Sequence, residues 1–276
     1  MKYLYLPATD GAKGPVDRRR FGRYLELTGL QYTLNPSEKF TAIFCAGSGD
    51  LQLALKLKAQ RKIPLIYDYA NHHCVETGYL KNYSRSIYKR IKNGHNFYLN
   101  GTKAKVIELI NYSDLVICSS SEQSNFIKKN FRSEGIFVAT DFFDLEFPSL
   151  FNRNYQGTSR KSEFFWEGQG ANLVNFSEVK VPKDVKINFV TDLSFRKNFI
   201  SRSTKKFLTR KGFLFSLTPW TASSALRFGS ISKFGLLPIN DEPIYRAKPE
   251  NKLVLYSLMG LIPLCSPITS YSQLLL

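Results

Sequence analysis

The 276-residue sequence predicts an α/β fold made of two parallel-sheet domains in series. Three observations carry this. Short, almost continuous apolar runs recur in both halves, the pattern of strands buried on two faces. Several end in turn or capping residues that open a helical pattern. Between the halves, Asp144 to Lys161 loses this periodicity and is polar, with one proline and one glycine. The expected organisation is an N-terminal Rossmann-like domain over 1–147, a linker over 148–162 and a second such domain over 163–276.

In the first half the expected strands are Tyr3–Leu6, Phe40–Cys45, Pro64–Tyr67, Leu115–Cys118 and Ile136–Ala139. Asp50 stands before LQLALKLKAQ, Thr102 before KAKVIELINY, and the run Ser119 to Gln123 before SNFIKKNF with capping-box spacing. Each supplies a side-chain acceptor where a helix needs one. Val106, Leu109 and Ile110 share one stripe, the core face of such a helix. In the second half the expected strands are Phe164–Trp166, Ile187–Val190, Phe213–Leu217, Leu236–Ile239 and Leu261–Cys265. Ligands of open α/β sheets sit beyond the carboxyl ends of the strands, so the loops after these runs are the expected functional ones.

Hydrophobic content of 43% and aromatic content of 14% exclude a disordered chain. No apolar run reaches the ~18 residues of a membrane-spanning helix, and the opening MKYLYLPATDG reads as a strand and loop rather than a signal peptide. Cys45, Cys74, Cys118 and Cys265 are far apart and match no metal-ligand spacing. A cytoplasmic protein with free thiols and no tightly bound metal is expected.

The charge is lopsided: 39 Lys plus Arg against 22 Asp plus Glu gives +17. Between Asp192 and Asp241 there is no acid but nine basic residues, and Thr77 to Lys105 is acid-free with seven, interleaved with Tyr79, Tyr83, Tyr88, Phe97 and Tyr98. Such fields attract polyanions: nucleic acid, anionic headgroups or a pyrophosphate-linked substrate. No zinc-finger spacing or RNP sequence occurs, so no specific nucleic acid is expected. The aromatic block instead suits peripheral docking on an anionic membrane surface, on its inner face.

The segment Arg246 to Tyr271, RAKPENKLVLYSLMGLIPLCSPITSY, carries the functional signal. It reads as a helix started by Pro249 and stopped by Gly260, followed by a strand. Lys248 would then lie at or beside the N-cap, with Asn251 and Lys252 in the first turn. Free N–H groups, the helix dipole and ammonium groups converge there, a seat for phosphate. Arg246 could pair bidentately with the same phosphates. Gly168 and Gly170 follow the first strand of the second domain, where a missing side chain lets backbone approach a ligand closely. Arg196 and Lys197 follow its second strand and are further cations for the site. In the first domain His72 and His73 follow the third strand, where one of them could shuttle a proton, with Asp68 the nearest carboxylate and a candidate base.

This segment resembles the donor-binding segment of GT-B glycosyltransferases, the group-1 or glycogen-synthase-like superfamily. There a basic residue, a helix of the type KSxNKLLEYMAAG and a G-x-P-V strand hold the diphosphate of a nucleotide sugar. Here the frame runs K-P-E-N-K-L-V-L-Y-S-L-M-G, then L-I-P-L. Glu163 to Gly170 resembles the family's W-x-G strand and loop, and Asn111 to Ser120 its aD-V-I-x-x-S strand. Leu236 to Ile239, followed by Tyr245-Arg246, resembles the strand and loop before the phosphate helix. Gly11 and Gly14 resemble the first glycine loop that faces the donor phosphate.

The resemblance implies two Rossmann-like domains facing across a cleft, an acceptor-side domain first and a nucleotide-sugar donor domain second. It implies a nucleotide-diphosphate-sugar donor, a surface-polysaccharide or lipid-linked acceptor, and retention of anomeric configuration. Two departures stand out. The family's ribose-binding glutamate is Leu255 here, since Glu242 and Glu250 are out of register. Family members also continue through further helices after the last strand, which implies that the donor domain is incomplete. The alternatives are a degenerate non-catalytic protein of the same fold, a same-fold nucleotide-sugar epimerase, and a basic nucleic-acid or polyanion binder.

Overall fold

A computed structural model describes residues 2–12, 17–47, 49–70, 101–131, 133, 135–139, 161–192, 199–240 and 243–275. The chain divides into two units, Met1–Phe142 with Glu242–Pro249, and Phe143–Asp241 with Glu250–Leu276.

The first unit contains β1 (Lys2–Leu6), α1 (Arg23–Thr28), β2 (Gln31–Thr33), β3 (Ala42–Ala46), α2 (Leu51–Arg61), β4 (Leu65–Tyr69), α3 (Gly101–Tyr112), β5 (Leu115–Cys118), α4 (Ser121–Asn130) and β6 (Ile136–Val138). Its strands form one parallel sheet in the order β2-β1-β3-β4-β5-β6. Alternation along the strands sorts the side chains onto two faces. Leu4, Ile43, Leu65, Tyr67 and Val116 meet Ala54 and Leu57 of α2, Val106, Leu109 and Ile110 of α3, and Ile127 of α4. Tyr5, Phe44 and Ala46 point the other way, onto Phe21 and Leu25. The Phe21 and Phe44 rings stack there with centroids 3.7 Å apart.

The expected caps act on α2 and α4. Asp50 accepts the Leu53 N–H at 3.0 Å, and Ser120 Oγ accepts that of Gln123 at 3.3 Å. Helix α3 takes in Thr102, starting at Gly101. The sequence pattern missed β2, because QYT is short and mostly exposed at the sheet edge.

The second unit opens with β7 (Lys161–Gly168), a 3₁₀ turn (Gly170–Phe176), β8 (Lys186–Thr191), α5 (Phe199–Arg210), β9 (Leu214–Pro219), α6 (Ala222–Ile231) and β10 (Ser232–Leu237). The short α7 (Pro243–Arg246), expected as loop, falls within the first unit. Then come α8 (Asn251–Leu258), β11 (Ile262–Cys265) and α9 (Thr269–Leu275). The sheet is again parallel, in the order β11-β10-β7-β8-β9. Phe165 packs among Ala225, Leu253 and Tyr256, while Trp166 packs among Phe176, Phe189 and Leu208. Of the expected linker, 148–160 lie outside the described residues, and Lys161 and Ser162 already belong to β7.

In the segment Arg246 to Tyr271 the helix begins later than expected. The helix does not start at Pro249 with Lys248 as its cap. It starts at Asn251, with Glu250 as N-cap, because the first i to i−4 bond runs from the Val254 N–H to the Glu250 carbonyl. The stretch before it is held in the first unit, where the Ala247 carbonyl accepts Ser120 Oγ at 3.0 Å and Gln123 Nε2 at 3.4 Å. The expected stop holds: Gly260 has φ 69°, and the Leu261 N–H reaches the Tyr256 carbonyl at 2.9 Å. No described helix is long and apolar enough to cross a membrane.

Candidate functional site

In the second unit the chain runs from β7 outward through β8 to β9, then returns to the other side of β7 for β10. The carboxyl ends of β7 and β10 therefore flank a topological switch point, the place where ligands of open α/β sheets bind. The last residues of β7 are Glu167 and Gly168. Helix α8, which follows β10 in this unit, sends Lys252 from its first turn to this point.

Lys252 Nζ donates to the Glu167 main-chain carbonyl at 2.6 Å and lies 3.4 Å from Glu167 Oε1. It also stands 5.6 Å from the Trp166 ring centroid, a cation–π distance. Its side chain keeps 27% exposure whereas that of Glu167 keeps 6%. Glu167 Oε2 accepts the Trp220 indole N–H at 2.9 Å, and the Glu167 N–H donates to Tyr256 Oη at 3.0 Å. Burial, then the Glu167 charge, push the Tyr256 phenol well above its ordinary pKa, so it stays neutral. Lys252 is thus anchored with its ammonium at the strand end, and its own N–H is braced by Asn251 Oδ1 at 2.9 Å.

Gly168 lies directly against this lysine. A Cβ there would lie 2.7 Å from Lys252 Nζ and 3.0 Å from the Trp166 ring. The missing side chain leaves room for the lysine. Gly170 opens the 3₁₀ turn, and its N–H is taken by Asp192 Oδ1 at 2.5 Å.

The other sequence candidates fall elsewhere. Lys248 Nζ sits 4.7 Å from the Tyr245 ring centroid, and Arg246, exposed, ends α7; both lie within the first unit. Gly11 has φ 66° in a turn over Asp10–Ala12. His72, His73, Gly14, Arg196 and Lys197 lie outside the described residues. Asp68 is no free base. It is 1% exposed and takes Arg20 Nε at 2.8 Å on both oxygens and Nη2 at 2.7 Å, while Arg20 Nη1 donates to the Ala139 carbonyl at 3.0 Å. This pair borders a cavity of about 360 Å³ lined chiefly by Tyr3, Phe21, Phe44, Ile66 and Ile117. Among the described residues no three His, Cys, Asp or Glu side chains gather as a metal-ligand group.

Sequence reasoning missed Glu167, Trp220 and Arg20. For Glu167 and Asp68 a signal was present: each is a carboxylate inside an otherwise apolar strand run, FFWEG and LIYDY. A charge at such a position needs a buried partner.

No protein-family model and no curated protein matches the chain. Solved structures do. The crystal structure of TarM matches 83% of this chain at 13% identity with a TM-score of 0.53. The chain spans 41% of TarM's length. Sucrose-phosphate synthase from Thermosynechococcus elongatus matches at 7% identity and TM-score 0.47, covering 98% of this chain and 73% of its own. The Methanocaldococcus jannaschii UDP-GlcNAc 2-epimerase, in complex with UDP-GlcNAc and UDP, matches at 12% and 0.45, covering 95% and 83%. The likeness to TarM is one of fold. The two Rossmann-like parallel sheets in one chain are of the GT-B class.

Proposed function

We propose that this GT-B-fold chain transfers a sugar from a nucleotide-diphosphate-sugar to a saccharide or lipid-linked acceptor. The observation that carries the proposal is Lys252, held by Glu167 at the switch point between β7 and β10. Glycosyl transfer breaks the bond from the anomeric carbon to a diphosphate oxygen and forms one to an acceptor oxygen, which loses its proton. Negative charge grows on the departing diphosphate and has to be met by fixed cations and dipoles. An ammonium has three donors; the Glu167 carbonyl takes one at 2.6 Å and the Glu167 carboxylate stands as an ion-pair partner at 3.4 Å, which leaves donor capacity for a phosphate oxygen. A charge-assisted bond of this kind contributes about 1.5–3 kcal/mol. The first turn of α8 adds its dipole, and its N-cap Glu250 makes no side-chain capping bond. Lys252 thereby replaces Lys248 as the first candidate for the donor phosphates. Arg246, Arg196, Lys197 and the glycines 11 and 14 remain secondary candidates on sequence grounds.

The acceptor side rests on the first unit. Its aromatic-lined cavity suits an apolar group, as a lipid-linked acceptor carries. The basic, aromatic 77–105 block adds attraction to the anionic surface where such acceptors lie.

A second interpretation, a non-catalytic protein of the same fold, is favoured by one observation. Leu255 stands where the family has its ribose-binding glutamate, and it is a core residue at 7% exposure. Thermal unfolding in the presence of a panel of nucleoside diphosphates tests the proposal. A ligand at a hundred times its Kd stabilises the fold by about 2.7 kcal/mol. One or more members of the panel should raise Tm; a flat response across the panel removes the donor-binding claim. Binding without sugar transfer to any acceptor would select the non-catalytic alternative.

A further inference from the structure

We infer that Glu167 is the positioning residue of the diphosphate seat, acting through Lys252, with Trp220 setting the orientation of its carboxylate. The inference rests on the proposal that Lys252 meets the donor diphosphate. Glu167 is 4% exposed, so it meets no solvent anion itself. Its carbonyl and Oε1 hold Lys252 Nζ, and its Oε2 is occupied by the Trp220 indole N–H. A carboxylate has acceptors for both partners, and the indole can only donate. The Tyr256 hydroxyl fixes the same residue's main chain from the far side. The lysine cannot swing without leaving an acceptor of a buried charge unmatched, which is costly.

The arrangement gives opposite signs to two explanations. By Coulomb's law alone, a carboxylate beside an anion site weakens anion binding, so neutralising it should tighten binding. If Glu167 positions the ammonium, neutralising it should weaken binding. Glutamine has one acceptor oxygen, and Trp220 claims it. The amide NH₂ is then turned toward Lys252 and displaces it. Removing the indole demand frees that oxygen to turn back.

The test is calorimetric titration of the full chain with inorganic pyrophosphate, a probe that needs no nucleobase. Glu167→Gln should weaken binding about tenfold or more, and Trp220→Phe alone by no more than about threefold. The double variant Glu167→Gln, Trp220→Phe should recover most of the loss, a rescue that a merely structural role does not produce. Glu167→Asp retains the charge but shortens the side chain, and should also weaken binding. It serves where Glu167→Gln does not fold. Glu167→Gln binding as tightly as wild type or tighter, or a double variant weaker than both singles, overturns the inference while leaving a Lys252→Ala loss to support the seat. A wild-type chain blind to pyrophosphate, or unaffected by Lys252→Ala, overturns the seat and the inference together.

Discussion

Replacing Gly168 by alanine probes the seat without removing any of its polar groups. The new Cβ would stand 2.7 Å from Lys252 Nζ and 3.0 Å from Trp166 Cζ2. A tryptophan packed in the core among Phe176 and Phe189 cannot give way, whereas the end of a lysine can. The displaced group is therefore Lys252, which loses its bonds to the Glu167 carbonyl and Oε1. Gly168 also has φ 157°, a backbone conformation that costs a side-chain-bearing residue about 1–3 kcal/mol. Stability should fall by that amount, roughly 2–4 °C in Tm for each kcal/mol. The binding effect is separate: losing one charge-assisted contact of about 1.5–3 kcal/mol weakens nucleoside-diphosphate binding roughly ten- to a hundredfold. Calorimetry well below the Tm of the variant reads the binding term by itself. A folded Gly168→Ala protein that binds the nucleotide as the wild type does would refute the placement of Lys252 as the phosphate cation.

Three further outcomes are expected. Arg20→Ala strips the buried Asp68 of its partner and should cost about 3–5 kcal/mol in urea unfolding, whereas Arg20→Met with Asp68→Leu should cost far less; equal losses would argue against a buried charge as the cause. Asp114 has its pKa pushed up by burial but held below its ordinary value by the stronger combined effect of Lys58 and the Leu65 N–H, which it accepts at 2.7 Å. A depressed carboxylate contributes stability above its unfolded pKa of about 3.9 and loses it as pH falls through the folded value. For this half-exposed pair Asp114→Asn should therefore cost no more than about 1 kcal/mol at neutral pH, a difference that begins to shrink below about pH 4 and is gone once pH lies under the folded value. If the difference instead grows in acid, the sign of the linkage is wrong. Finally, the chain should co-sediment with anionic vesicles and release them as salt rises, at about 1 kcal/mol per well-placed Lys or Arg of the 77–105 block; equal binding to neutral vesicles removes the peripheral-membrane claim.

Features that depend on neighbours in the chain were legible before any coordinates. Continuous apolar runs fall on ten of the parallel strands, although the Leu236–Ile239 run meets only the last two residues of β10, and Asp50, Ser120 and Gly260 mark helix ends through local hydrogen bonds or backbone freedom. The three-residue β2 escaped because an exposed edge strand buries too little to imprint a pattern. The start of α8 was misplaced by two residues. Proline permits a helix start at Pro249 but does not compel one, and the bonds of Ala247 to Ser120 and Gln123 hold the preceding turn back. Long-range partners were illegible. Lys252 meets Glu167 across 85 positions and Arg20 meets Asp68 across 48, separations at which no spacing rule operates. The same gap hides from the sequence that Lys252 Nζ lies over Gly168. What the strands did show was where to look, since both carboxylates interrupt apolar runs near strand carboxyl ends.

A diphosphate seat built on Lys252 is tested by comparing a nucleoside diphosphate with the matching monophosphate on the wild-type chain, Lys252→Ala and Lys248→Ala. Calorimetry should show the diphosphate binding wild type roughly ten- to a hundredfold more tightly than the monophosphate, one charge-assisted contact of about 1.5–3 kcal/mol. Lys252→Ala should erase most of that preference and Lys248→Ala little of it. A wild-type chain that binds the two nucleotides equally, or binds neither, rules out a diphosphate seat on Lys252, as does a preference that survives Lys252→Ala intact.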